Sequence, residues 1–200
     1  MHILILASLY PSSIRPTTGI FVQDQVEILK DAGHQVGVLI APRLYESLHH
    51  LRRDKKFPQT LEQVVDSEST YRLHSLWVPR FFPLISAQIY KQAAKSAFTE
   101  YCKRHGVPDI IHAHNTFYGG YMAVEIATDK QIPTVLTEHS TNYLRGRIFL
   151  PGQHKIVRQT LNQINAPLAV VQVLADYLND HYHPQNPVQT IPNVVDTDYF

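Results

Sequence analysis

Three short polar runs, each following apolar sequence or opening a helix, hold the residue types from which a binding or catalytic site can be built. The richest is Thr137-Glu138-His139-Ser140-Thr141-Asn142, directly after Thr134-Val-Leu136. A neutral imidazole beside a carboxylate can orient a hydroxyl or move a proton near neutral pH. Arg145 and Arg147 follow, and both can meet a phosphate or carboxylate. The plainer alternative is helix capping by Ser140 or Thr141 beside a surface arginine pair. The second run is His112-Ala-His114-Asn115-Thr116. Alternation along a strand puts His112 and His114 on one face, with His114 nearer the strand end. A histidine in that place can equally be satisfied by backbone. The third run is the loop Tyr10–Gly19, which leads into a helix whose first N–H groups are open to an anion. Gly19 would let a ligand approach the backbone closely, or it is an ordinary turn glycine. The glycine spacing is neither Gly-x-Gly-x-x-Gly nor a Walker loop, which removes the best support for a dinucleotide or nucleoside-triphosphate site.

The elements that must position these runs alternate along the chain. His2–Leu9 is almost continuously apolar, as expected of a strand buried on both faces. Ile20 to about Asp31 has helical period, with Phe21, Val22, Val26, Ile28, Leu29 and Ala32 on one broad arc and Gly33 as its stop. Val36–Ala41 reads as a strand. Residues 42–69 are polar, without a convincing core element, and read as a surface excursion with room for a short helix. A strand is expected over Tyr71–Val78 and a helix from Ile85 to Gly106. Strands follow at Asp109–His112, Pro133–Thr137, Leu168–Val173 and Val188–Ile191. Helices are expected at Phe117–Asp129, about Gln153–Ile164 and Ala175–His181. This order implies right-handed βαβ units and a Rossmann-like, doubly wound, mainly parallel α/β sheet. In such sheets ligands bind beyond the carboxyl ends of the strands, where all three polar runs fall.

Composition narrows the classes. With 44% hydrophobic residues in 200, the chain can bury a substantial core as one domain. Lys+Arg is 18 against Asp+Glu 17, so no nucleic-acid partner is expected. Cys102 is the only cysteine, which excludes an internal disulfide and favours a reducing, cytoplasmic compartment. The tight histidine groups, His49-His50, His112/His114 and His181/His183, lack the Cys or carboxylate partners of a zinc site, so no metal is expected. No stretch has transmembrane length. Arg80-Phe-Phe-Pro-Leu-Ile85 could touch a membrane peripherally at its inner face, or open a core-docked helix.

Five motifs in order give the chain a family likeness: Gly19-Ile-Phe-Val-x-x-Gln-x-x-x-Leu29, Ala32-Gly-His34, Pro108-Asp-Ile-Ile-His-Ala-His114, Leu136-Thr-Glu-His-Ser140 and Ile191-Pro-Asn-Val-Val-Asp-Thr-Asp-Tyr-Phe200. From Met1 to Phe200 the chain resembles the N-terminal domain of the retaining glycosyltransferases of family 4, which have the two-domain GT-B architecture. Val194 stands where members usually have Gly, and Gln172 where Ser is common. The resemblance implies transfer of a sugar from a nucleotide-sugar donor to an acceptor hydroxyl of a glycan or lipid-linked acceptor, without a required metal or other cofactor. It makes residues 1–190 an acceptor-binding domain and 191–200 the start of an interdomain linker, with the donor-binding C-terminal domain absent and this chain alone inactive. It places the Gly19 N–H near the donor diphosphate and His139 at the acceptor side of the cleft, as the catalytic candidate. His114, Asn115, Glu138 and Asn142 would line the same cleft. A GT-B sugar-nucleotide epimerase and a non-enzymatic carbohydrate- or lipid-binding module are the competing readings.

Overall fold

A computed structural model of the chain describes residues 1–13, 15–41, 61–63, 69–73, 82–147 and 150–194. Its centre is strand β1 (His2–Ala7), every residue of which is buried. Alternation sends its side chains to two different layers. Ile3, Ile5 and Ala7 pack with Val22 and Val26 of helix α1 (Ile20–Asp31), together with Val36, Val38 and Ile40 of β2 (Gln35–Ile40). Leu4 and Leu6 face the larger core on the opposite side, built with α2 (Pro83–His105) and the helices that follow it. A run that is apolar at consecutive positions is what a strand covered on both faces requires.

Among the described residues the sheet has eight strands, in the order β3-β4-β2-β1-β5-β6-β7-β8. The later members are β5 (Ile110–His114), β6 (Thr134–Glu138), β7 (Ala166–Ala169) and β8 (Gln189–Thr190). All pairings are parallel except that of β3 (Leu61–Gln63) with β4 (Thr70–Leu73), which is antiparallel at the edge. The chain runs outward from β1 in one direction through β2, then returns to place β5 on β1's other side. That reversal leaves a crevice beyond the carboxyl ends of β1 and β5, where open α/β sheets take their ligands.

Several elements differ from the sequence expectation. β1 stops at Ala7; just past it the Ser8 hydroxyl donates to the His114 carbonyl (3.0 Å) and accepts from the Gly119 N–H (2.9 Å). The buried stripe of α1 is narrower than its apolar arc: Ile28 is 44% exposed and Ala32 is exposed as well. Leu61–Gln63, inside the stretch read as a surface excursion, is an edge strand. Residues 42–60, 64–68 and 74–81 lie outside the described residues, and with them the expected short helix and the end of the expected strand Tyr71–Val78.

Beyond β5 the expected single helix divides into a π-helical turn (Asn115–Gly120), α3 (Tyr121–Ala127) and a 3-10 turn (Thr128–Lys130). Helix α4 spans Pro151–Gln163. The apolar Val170, Val171 and Val173 read as strand but lie beyond β7. Val171 is the extended residue whose carbonyl accepts from Leu174 and Ala175, so it opens helix α5 (Gln172–Tyr182). Among the described residues, no helix is long and apolar enough to cross a membrane.

Gly37 of β2 shows how closely the larger core is packed. A Cβ there would collide with the Tyr101 hydroxyl and come within 2.5 Å of its ring. Tyr101 is fully buried and anchored by a 2.7 Å hydrogen bond to His2 Nε2, so its ring has little freedom to retreat. Gly37→Ala is expected to destabilise the fold by about 1–3 kcal/mol through overpacking. The check is a lower urea midpoint at unchanged m-value.

Candidate functional site

The parallel register aligns three strand ends. Ala7 pairs with His114, and His114 with Thr137, so Ser8 and Asn115, the first residues past their strands, come level with Glu138, the last residue of β6. Glu138 is 1% exposed, and its carboxylate gathers the loops around it. One oxygen accepts from Asn115 Nδ2 (2.9 Å), the His139 N–H (2.9 Å) and the Ser140 N–H (2.7 Å). The other accepts from the Thr116 N–H (2.7 Å) and the Thr116 hydroxyl (2.6 Å). A carboxylate can take several donors in this way, whereas an amide cannot. Asn115 enters the π-helical turn at φ 67, a left-handed conformation that Asn tolerates better than most residues.

His139 is held from two sides. Its Nε2 lies 2.9 Å from His114 Nδ1, and the Phe21 ring of α1 packs against it with centroids 4.3 Å apart. Burial lowers its pKa to about 4, against the opposing pull of the Glu138 charge. Burial, with the neighbouring His139, likewise lowers His112 to about 4, and that ring bonds the Thr137 hydroxyl at 2.8 Å. His114, 1% exposed, is pushed well below the usual histidine range by burial and by His112 and His139. All three imidazoles are therefore neutral near neutral pH and act through hydrogen bonds instead of charge. The Tyr143 hydroxyl is raised well above its ordinary value by burial and by the Glu138 charge, so it too is neutral.

A cavity of about 450 Å³ opens at this point. Ser8 and Leu9 line it from the loop after β1, Phe21 from α1, and Asn115, Phe117 and Tyr118 from the π-helical turn. Residues 138–143 and Arg147 line it as well. Asn115, Glu138, His139 and Asn142 are thus brought together on one cavity. His114 stands behind it, bonded to His139, and Gly19 is not among the lining residues. Gly19 is buried at φ 75, and a Cβ on it would lie 2.5 Å from the Leu9 carbonyl and 2.7 Å from the Tyr10 nitrogen. The close approach that this glycine permits is to the chain's own loop, whose Leu9 does line the cavity. Arg147 is on the wall, whereas Arg145 is not.

Sequence reasoning missed Ser8, Phe21 and Tyr143 as parts of the site. Ser8 carried the one available signal, a hydroxyl breaking an apolar run. Phe21, on the helix's apolar arc, packs partly buried against the core as expected and in addition covers His139. Asn115 Oδ1 and His139 Nδ1, on cavity-lining residues, are buried polar atoms without a partner among the described residues, as is His114 Nε2. Buried polar atoms are normally satisfied, so their concentration here is the mark of a place that meets something else.

Glu138→Gln should destabilise the protein by about 1–3 kcal/mol, because either amide orientation turns an NH₂ toward buried donors. Urea unfolding of the two proteins measures it; equal midpoints would mean that the carboxylate does not organise the loops. The histidines set a pH dependence. Their folded pKa values lie below the unfolded value of ~6.5, so the unfolded chain binds more protons between about pH 6.5 and 4. Stability is therefore complete above pH 6.5 and declines as pH falls through that window, by up to ~1.4 kcal/mol per pH unit for each such histidine. Urea midpoints at pH 7, 6 and 5 read this decline, which His112→Gln should make shallower.

Comparison with known proteins agrees with this architecture. The family model for Glycosyltransferase Family 4 matches residues 18–199. A relative in Bacillus subtilis (strain 168), TuaC, provisionally named a teichuronic acid biosynthesis glycosyltransferase, is 29% identical over 180 residues, which cover 88% of this chain and 46% of TuaC. Among solved structures, sucrose-phosphate synthase of Thermosynechococcus elongatus superposes with a TM-score of 0.64 at 13% identity, over 100% of this chain and 50% of that one. The starch synthase IV catalytic domain of Arabidopsis thaliana, bound to ADP and acarbose, gives 0.58 at 14% identity, over 98% of this chain and 52% of its own. UDP-GlcNAc 2-epimerase of Neisseria meningitidis, bound to UDP-GlcNAc, gives 0.57 at 14% identity, over 96% and 46%. The chain thus spans about half the length of the proteins it matches. With the family model covering nearly all of it, the chain belongs to glycosyltransferase family 4.

Proposed function

We propose that this chain forms the acceptor-side half of a retaining glycosyltransferase, which moves a sugar from a nucleotide-sugar donor to an acceptor hydroxyl in glycan or glycolipid assembly. The observation that carries the reading is the cavity at the sheet's reversal point, walled by His139 and Asn115, each with a buried polar atom lacking a partner among the described residues. Neutral groups of this kind suit a polyhydroxy ligand, whose hydroxyls both donate and accept. His139 would contact the reacting sugar or the acceptor, with Asn115 and Asn142 beside it on the acceptor side. Glu138 serves this wall by fixing the two segments that carry them. Gly19 and the first turn of α1 would lie toward the donor diphosphate. The leaving phosphate would take the acceptor proton, so the scheme uses His139 as a hydrogen-bonding group and calls for no metal.

The remainder of a longer protein, comparable to the half of each relative that this chain does not span, would supply most of the donor site. Half a cleft cannot hold both reactants in reacting geometry, so the chain alone would be inactive. An epimerase acting on a nucleotide-sugar would use the same architecture, and the likeness to UDP-GlcNAc 2-epimerase gives that reading some support. The family match and the relative named for teichuronic acid biosynthesis favour transfer, with a polysaccharide as the product class.

The test uses the full-length protein that contains this chain, assayed with a panel of nucleotide sugars and hydroxyl acceptors, with products identified by mass spectrometry. Transfer with retained anomeric configuration is expected from the full-length protein and none from the chain alone. His139→Ala should lower kcat about 10²-fold or more while leaving the circular dichroism spectrum unchanged. Epimerised donor without transfer would establish the competing reading.

A further inference from the structure

His114 Nδ1 and His139 Nε2 lie 2.9 Å apart, with ring centroids 5.2 Å apart and planes inclined by 20°. A centroid distance that much longer than the nitrogen distance means that the rings meet edge to edge, with the two nitrogens between them. We propose that these two histidines form one proton-sharing unit, in which His114 is a positioning residue that selects the hydrogen-bonding character His139 presents at Nδ1. Only the identity of the ligand at that nitrogen rests on the transferase reading; the pairing itself does not.

A neutral imidazole carries one N–H and one lone pair. One N–H fills the gap between the rings, so the outer nitrogens must differ: one bears hydrogen and the other a lone pair. In the first arrangement His114 Nδ1–H donates to His139 Nε2, which leaves His139 Nδ1–H as a donor and His114 Nε2 as an acceptor. In the second, His139 Nε2–H donates to His114 Nδ1, and the outer roles exchange. Conversion moves the bridging proton from His114 to His139, while His139 Nδ1 loses a proton and His114 Nε2 gains one. Both outer nitrogens are buried without a partner among the described residues, so no other contact described here fixes the choice.

The groups around the pair limit it further. His112 on β5 lies with its ring centroid 4.6 Å from that of His114, but its Nε2 is engaged by the Thr137 hydroxyl. Glu138 on β6 contributes the negative charge that favours a proton on His139, while Phe21 on α1 covers the ring without charge. The unit accepts one extra proton and no second one, because two would set N–H against N–H across a 2.9 Å gap. His139 Nδ1 is buried, so a ligand must displace its cover to reach it; a hydroxyl brought there can pair with it in either arrangement. A phosphate or carboxylate oxygen can meet it only when it bears hydrogen. The pair therefore fits a hydroxyl-bearing ligand at this nitrogen whichever tautomer is present.

Nuclear magnetic resonance of the chain labelled with ¹⁵N-histidine tests this without substrate or turnover, so failure of the transferase reading would leave the result intact. Expected near pH 7 are two neutral rings, one bridging N–H, and a through-hydrogen-bond ¹⁵N–¹⁵N coupling between His114 and His139. His114→Leu should abolish the coupling and change the tautomer ratio of His139, while His112→Gln preserves both. On acidification the pair should bind one proton in total before the chain unfolds. Absence of the coupling in the unaltered protein overturns the proposal, and that measurement requires no variant to fold. An unchanged His139 tautomer ratio in folded His114→Leu, or uptake of two protons by the folded pair, overturns it equally.

Discussion

Five hydrogen-bond donors from two loops converge on the two oxygens of Glu138, a residue almost wholly removed from solvent. Removing a carboxylate from water costs several kcal/mol, and only dense, charge-assisted hydrogen bonding makes such burial tolerable. The dependence runs both ways. Three of the five donors are backbone N–H groups, of Thr116, His139 and Ser140, which would otherwise be stranded next to the end of the sheet. One anion thus permits two polar loops to enter the protein interior together, and with them the residues that line the cavity.

That knot works because of where the sheet places its ends. The register from Ala7 through His114 to Thr137 brings three strand termini level, and the reversal of strand order at β1 leaves the space beyond them uncovered. Ser8 couples the first terminus to the second by bridging the His114 carbonyl and the Gly119 N–H. Helix α1 contributes a stripe of only two fully buried residues, Val22 and Val26, and this narrow seat leaves Phe21 free to lie against His139. Core packing and cavity wall are consequently shared between neighbouring residues of one helix.

Much of this was readable from local pattern. The helix Ile20–Asp31 was read with the bounds that the structure has, and the alternation of strands and helices specified a mainly parallel sheet. The polar runs after β5 and β6 were legible because hydrogen-bonding residues directly after a buried strand are unusual. What local pattern does not carry is which donor meets which acceptor across the sheet: Glu138 and Thr116 are 22 residues apart in sequence and meet through register. The edge strand Leu61–Gln63 escaped because three residues are too few to show a period. The strand expected at Leu168–Val173 was placed late because β-branched valines look alike in a strand and in the turn that opens a helix. Gly19 was recognised as special, but its steric need lies against Leu9 of the same chain, a relation that no spacing rule contains.

The charge of Glu138 is consumed inside the protein, and burial keeps His112, His114 and His139 neutral, so this wall recognises mainly by hydrogen bonds. Of the described residues lining the cavity, Arg147 is the one cation. A wall so constituted discriminates by the placement of hydroxyls, since an unpaired buried polar atom penalises any ligand that lacks the matching group. It is poorly equipped to hold a diphosphate by itself, which needs several positive or backbone N–H contacts. On the proposed transferase reading, recognition of a sugar or acceptor and binding of a phosphate leaving group would be separable tasks. On that reading the first would fall to the strand ends described here, and the second would call for groups brought from across the crevice.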